Sequence, residues 1–175
     1  MSGSSSSRKI ALVMGVANQR SIAWSCVESL HTKGWQVIFT YQTDKMQSKM
    51  EPLLHQHSNV LGGFACDVTT DLDSSSSSSS VFQQRLADLL QDRPLHAVVH
   101  SLAHAPNLKT TPSLLETSAE DFLKAQEISA YSLLSVALET QVLLTLGGDD
   151  DNHSSSSNIG DRSCIRSCTL SLINN

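Results

Sequence analysis

Residues 10–23, IALVMGVANQRSIA, constrain this chain more than any other stretch. Ile10, Ala11, Leu12, Val13 and Met14 form an unbroken apolar run, as expected of a central parallel strand covered on both faces. Gly15 follows at once. A residue without Cβ lets the chain turn tightly and lets a phosphate approach the backbone. Ser21 stands where a helix begins, and the free N–H groups and positive dipole end of a helix start favour an anion. The stretch therefore has the form of a strand–loop–helix cradle for a dinucleotide pyrophosphate. Its spacing, Gly15 followed by five residues and then Ser21, Ile22, Ala23, departs from the usual G-x-G-x-x-G. A single glycine between strand and helix also occurs in α/β proteins that bind no nucleotide.

The same alternation continues along the chain. A helix is predicted over 21–33, with Ile22, Cys26, Val27 and Leu30 on one face, and Gly34 closing it. Strand two is predicted over 35–41 and a helix over 45–56, which Pro52 should kink or shorten. Strand three lies within 60–68. A serine-rich insertion at 72–80 separates it from a helix over 81–91, whose apolar stripe is read as Val81, Phe82, Leu86, Leu89 and Leu90. Strand four covers 95–102, a long helix capped by Ser118 covers 119–139, and strand five covers 142–146. Regular alternation of strands and helices implies a doubly wound parallel sheet of the α/β class. The expected organisation is a Ser-rich disordered arm at 1–7, a dinucleotide-binding domain at 8–148 and a low-complexity, disordered tail at 149–175.

Charge and composition remove several classes of function. The net charge of −5 comes with no basic patch suited to nucleic acid. No apolar run reaches the length of a membrane span, and the first residues lack the apolar segment of a secretory signal. Cys26 and Cys66 sit among apolar residues and read as reduced core thiols. Cys164 and Cys168 have no second ligand pair, and Asp149, Asp150 and Asp151 are adjacent carboxylates that repel, so no metal site is expected. His100 and His104 read as a packed residue and a rim residue rather than a metal pair.

Four stretches in order carry a resemblance: GVANQRSIA at 15–23, FTYQTDK at 39–45, CDV at 66–68 and HSLAHAP at 100–106. ISAYSLL at 128–134 and LLTL at 143–146 extend it. Together they resemble the enoyl-acyl-carrier-protein reductases of type II fatty-acid synthesis, a divergent branch of the short-chain dehydrogenase/reductases with a Rossmann fold. The resemblance implies NADH as cofactor and an enoyl thioester of acyl carrier protein as substrate. It implies that Gly15, Ser21 and Ile22 meet the pyrophosphate and adjoining ribose and that Gln42 lies near the adenosine ribose. It further implies that Asp67 accepts from the adenine amino group, that the Val68 backbone meets the ring edge, that Leu102 lies near the nicotinamide-side ribose, and that Ala105 borders the substrate pocket. Independently, the carboxyl ends of the strands line the ligand crevice in such a sheet. Asp67 also reads as a cap or turn former, and Gln42 as a solvated loop residue. Gln42, Thr43 and Asp44 precede the first cation, Lys45. That neutral-to-acidic order favours NADH over NADPH, whose 2′-phosphate calls for a cation directly after strand two.

The family's chemistry also needs a tyrosine with a lysine seven positions later. The two tyrosines here, Tyr41 and Tyr131, are followed at that spacing by Ser48 and Leu138, and no lysine occurs after Leu146. No residue of this chain is therefore predicted to be catalytic. The expected fold is C-terminally incomplete, as loss or misreading of coding sequence after about Glu139 would produce, with strand five left as an exposed apolar edge and low stability as the result. The resemblance implies a homotetramer built through late elements, which this chain is expected to lack. The family's members lie in the cytoplasm of bacteria or the plastid of algae and plants. The alternatives are a non-catalytic NAD-binding module, acting alone or as a partner of full-length subunits, and an α/β protein without a nucleotide site.

Overall fold

The computed structural model describes residues 8–72, 80–105, 114–141 and 143–144. Strands β1 (Ile10–Met14), β2 (Gln36–Tyr41), β3 (Val60–Ala65) and β4 (Ala97–His100) form one parallel sheet in the order β3-β2-β1-β4. β1 is in register with both neighbours, pairing Leu12 with Ile38 and Val98. Because side chains alternate across a strand, Ile10, Leu12 and Met14 enter one core and Val13 the other. Helices α1 (Ile22–Thr32) and α2 (Gln47–Leu54) cover the second face through Trp24, Val27, Met50 and Leu53. Helix α3 (Val81–Leu90) and the end of α5 (Ser132–Thr140) cover the first through Phe82, Leu86, Leu90 and Val136. The result is the doubly wound α/β architecture.

Local chemistry explains the boundaries. Ser21, Ser80 and Ser118 cap α1, α3 and α4 (Ala119–Gln126), each accepting a backbone N–H from the first turn. At the end of α1, Gly34 has φ +76°, and the N–H groups of Gly34 and Trp35 return to the carbonyls of His31 and Leu30. This double closure is a Schellman stop, which requires a residue tolerant of positive φ. At the end of α3, Arg93 donates to the carbonyls of Leu89 and Leu90 and to Gln36 Oε1, tying the helix to β2.

Several expectations need correction. Ile22 and Val81, assigned to apolar faces, are 53% and 47% exposed. Each is the first residue of its helix, where the side chain lies beyond the packed turns. The fully buried Trp24 takes the place expected of Ile22. Of the serine-rich insertion expected at 72–80, residues 73–79 lie outside the described residues; at its two ends Leu72 is buried in the core, and Ser80 is a buried cap whose Oγ bonds Gln83 N and the Glu139 carboxylate. Helix two starts later than expected, after a 3-10 turn at Asp44–Met46, and ends two residues beyond Pro52. The long helix contains a π turn, Glu127–Tyr131, between α4 and α5. Of the fifth strand, Leu143 and Leu144 are described: Leu144 bridges Leu95 in parallel, and Leu143 O accepts from Leu95 N at 2.8 Å. The rest of that strand, the arm at 1–7 and the tail at 149–175 lie outside the described residues.

Candidate functional site

From β1 the chain winds outward to β2 and β3, then crosses back to place β4 on the other side of β1. The crevice between β1 and β4, at the carboxyl ends, is the switch point where ligands bind in such sheets. Gly15 sits there with φ +89°. A Cβ on it would lie 2.2 Å from Ser101 O and 2.9 Å from Leu102 Cδ2. Glycine is therefore required by the neighbouring strand's exit as well as by its own backbone angle. The sequence pointed to the turn; the second constraint belongs to residues 86 or more positions away.

The loop after Gly15 is ordered by its own polar groups. Asn18 O accepts from Ser21 N at 3.1 Å and Ser21 Oγ at 2.7 Å, and Asn18 Oδ1 accepts from Arg20 N at 2.7 Å. Ser21 Oγ in turn accepts from Trp24 N. The Ser21 hydroxyl is thus committed to the cap and the loop. What it leaves for a ligand is the helix start itself, where the N–H groups of Ile22 and Ala23 have no intrahelical acceptor. Ile22's exposure fits a position on the crevice rim.

The other predicted residues are distributed along the same carboxyl edge. Gln42 is exposed directly after β2, followed by exposed Thr43 and Asp44. Asp67 follows β3 and builds a turn: its Oδ1 accepts from Thr69 N at 3.0 Å and Thr69 Oγ1 at 2.7 Å. The turn-forming role left open by the sequence is therefore present, and among the described residues Oδ2 has no partner. Val68 and Leu102 are half-buried and pack against the first core, and Ala105 is exposed. The structure brings Gly15 up against Leu102, and the other residues lie along the same carboxyl edge.

Sequence reasoning missed Arg85. Its guanidinium donates to Ala65 O at 2.6 Å, securing the end of β3 just before Asp67. The available signal was a cation inside an apolar helical stripe. Below it, burial pushes the Cys66 thiol up to about 12, with the Asp71 and Asp67 carboxylates adding to the effect and Arg85 opposing it. Cys66 and half-buried Cys26 are free thiols, as expected. His100 is packed, with Nε2 2.8 Å from Ser132 Oγ, and burial lowers its pKa from the usual imidazole value. Among the described residues no three His, Cys, Asp or Glu side chains converge as a metal site. No helix there is long and apolar enough to cross a membrane. A hollow of about 330 Å³ beside Leu90, Arg93 and Leu143 lies at the opposite, amino end of the sheet and is no part of this crevice.

Comparison with known proteins gives a consistent result. The family model described as enoyl-(acyl carrier protein) reductase matches residues 15–159. An enoyl-acyl-carrier-protein reductase (NADH) of Bacillus cereus is 37% identical over 145 residues, covering 81% of this chain and 53% of the relative. The crystal structure of the enoyl-acyl-carrier-protein reductase (NADH) of Aquifex aeolicus superposes with a TM-score of 0.63 at 33% identity, covering 78% of this chain and 50% of that one. The Anaplasma phagocytophilum reductase, crystallised in complex with NAD, gives 0.66 at 29% identity, covering 80% of this chain and 51% of that one. The chain thus spans about half the length of the relatives it matches.

Proposed function

The chain belongs to the enoyl-(acyl carrier protein) reductase family, and from that premise we propose that it supplies the NADH-binding half of such an enzyme. The observation that carries this reading is the cradle at the switch point. Gly15 turns against Ser101 and Leu102, and the start of α1 opens onto the same crevice. Gly15, Ser21 and Ile22 would hold the pyrophosphate, Gln42 the adenosine ribose, Asp67 and Val68 the adenine, and Leu102 the nicotinamide side. A pyrophosphate fits this position because the start of α1, whose first N–H groups have no intrahelical acceptor, favours an anion there.

The bound cofactor would supply the hydride that reduces the double bond of an enoyl thioester carried on acyl carrier protein, with Ala105 bordering the acyl pocket. Neither tyrosine is suited to assist that reduction. Tyr41 is buried in the sheet, and Tyr131 is exposed on the π turn with Leu138 where the lysine would stand. This favours a second reading, in which the 175 residues bind NADH without turnover, alone or beside full-length subunits. The outer face of α4–α5, with Leu123, Tyr131, Leu134 and Leu138 exposed, is the apolar surface a full-length subunit would cover. The domain boundaries 8–148 and a cytoplasmic or plastid location belong to the same proposal.

Titration of the purified chain with NADH and NADPH tests it. We expect saturable NADH binding, with NADPH weaker by about tenfold (about 1.4 kcal/mol), because exposed Gln42, Thr43 and Asp44 precede the first cation after β2. With a short trans-2-enoyl thioester added, oxidation of NADH should not exceed the uncatalysed rate. A folded chain that binds neither nucleotide would remove the proposal, and turnover would remove the non-catalytic reading.

A further inference from the structure

We infer that Ser129, in the π turn, and Ser132, the first residue after it, are positioning residues that hold the exit of β4 in its ligand-facing form; this rests on the NADH reading above. A π turn moves the backbone acceptor by one residue and leaves a carbonyl without its usual partner. Here Ser132 N reaches back to Glu127 O, and the Ser132 hydroxyl donates to Ile128 O at 2.6 Å. A carbonyl cannot donate, so the single hydroxyl proton is committed to Ile128. The contact of Ser132 Oγ with His100 Nε2, at 2.8 Å, must then be made by the imidazole N–H. His100 is held as the Nε2–H tautomer, and the last residue of β4 is tied to the helix.

One turn earlier on the same helix face, Ser129 makes a second tie. Its Oγ accepts from His104 N at 2.9 Å and donates to His104 O at 3.3 Å. The two serines thus anchor both ends of the segment His100–His104. Between the anchors lie Ser101, whose carbonyl meets Gly15, and Leu102, whose side chain closes the same gap. The pair of histidines four apart supplies the two anchor points of this segment. The adenosine end of the crevice, at β2 and β3, takes no bond from either serine.

That division supplies the test. The full chain and its Ser132→Ala and Ser129→Ala variants are titrated with NADH and with ADP, which lacks the nicotinamide half. Each variant should lose NADH affinity by roughly fivefold to tenfold, the loss expected for one or two hydrogen bonds, while ADP affinity stays within about twofold. In the imidazole nitrogen NMR spectrum, His100 should show the Nε2–H tautomer in the parent chain and lose that preference in Ser132→Ala. Equal weakening of both ligands, or of neither, would overturn the positioning role. If the parent binds ADP and NADH equally, the nucleotide site stands and this inference falls. If it binds neither, the function falls and takes this inference with it. Should Ser132→Ala fail to fold, Ser129→Ala carries the same comparison.

Discussion

Strands β1 and β4 lie side by side in unbroken register, from Ala11 opposite Ala97 to Met14 opposite His100, yet their surroundings differ. Every residue of β1 is buried; every residue of β4 is half-buried. β1 has a strand on each edge and helices on both faces. β4 has β1 on one edge and, among the described residues, only the Leu95–Leu144 bridge beside the other. The helix above it, α5, buries Val136 but leaves Leu134 and Leu138 about 60% exposed. The lesson is that the two sides of one crevice are secured by different physics. The β1–β2–β3 side is held by close packing, and the β4 side by a few polar ties to the π turn.

The largest expected effect strikes where the two sides meet. Gly15→Ala places a methyl against Ser101 O and puts a chiral residue at φ +89°. Strain of this kind and overpacking together should cost roughly 2–5 kcal/mol, read as a lowered denaturation midpoint together with loss of NADH binding. A variant of unchanged stability would show that the contact between β1 and β4 is looser than the geometry states.

Next in size is a paired measurement on the two sides. Trp24→Ala empties the core under β1 and β2, where Trp24 meets Phe39 edge to face at 6.0 Å, and should cost roughly 3–5 kcal/mol. Leu138→Ala on the outer face of α5 should stay within about 0.5 kcal/mol. Equal losses would break the comparison. A loss for Leu138→Ala that grows with protein concentration would sharpen it, by showing that the exposed stripe is covered by another copy.

The smallest effect is the pH dependence of the β4 side. Burial lowers the His100 pKa in the folded chain, so on acidification the unfolded chain takes up this proton first. The stabilisation is complete above the unfolded value of about 6.5 and is lost as pH falls through the folded value. Denaturant midpoints of the parent and of His100→Gln between pH 7 and 5 should converge toward the acid end. Parallel curves would show that His100 titrates alike in both states.

Much of this was legible from residue type alone. Serine before an apolar helical period marks a cap, and Ser118 was read as such, while Ser21 was read as the first residue of its helix and is its cap; Gly34 was legible as a stop because few other residues tolerate its backbone angle. The order of strands and helices followed from apolar periodicity. The exposure of Ile22 and Val81 was not legible, because periodicity ranks positions along a helix and does not register that the first turn overhangs the sheet. The π turn was hidden for a similar reason: Ser129 and Ser132 look like polar interruptions of an apolar helix until the exit of β4 is placed beside them. Gly15 was found for the turn it makes, while the pressure of Ser101 on it depends on a pairing between distant strands. For Asp67, the turn with Thr69 and an adenine contact call for the same residue type, so sequence left both open.

The central claim is that a dinucleotide spans the carboxyl edge from β3 across β1 to β4. Amide hydrogen exchange of the full chain with and without saturating NADH tests it most directly. The account predicts slowed exchange at residues 15–23, 66–68 and 100–105, with the amino end of the sheet around Arg93 and Leu95 unchanged. Saturable NADH binding that leaves those three segments unprotected would contradict it.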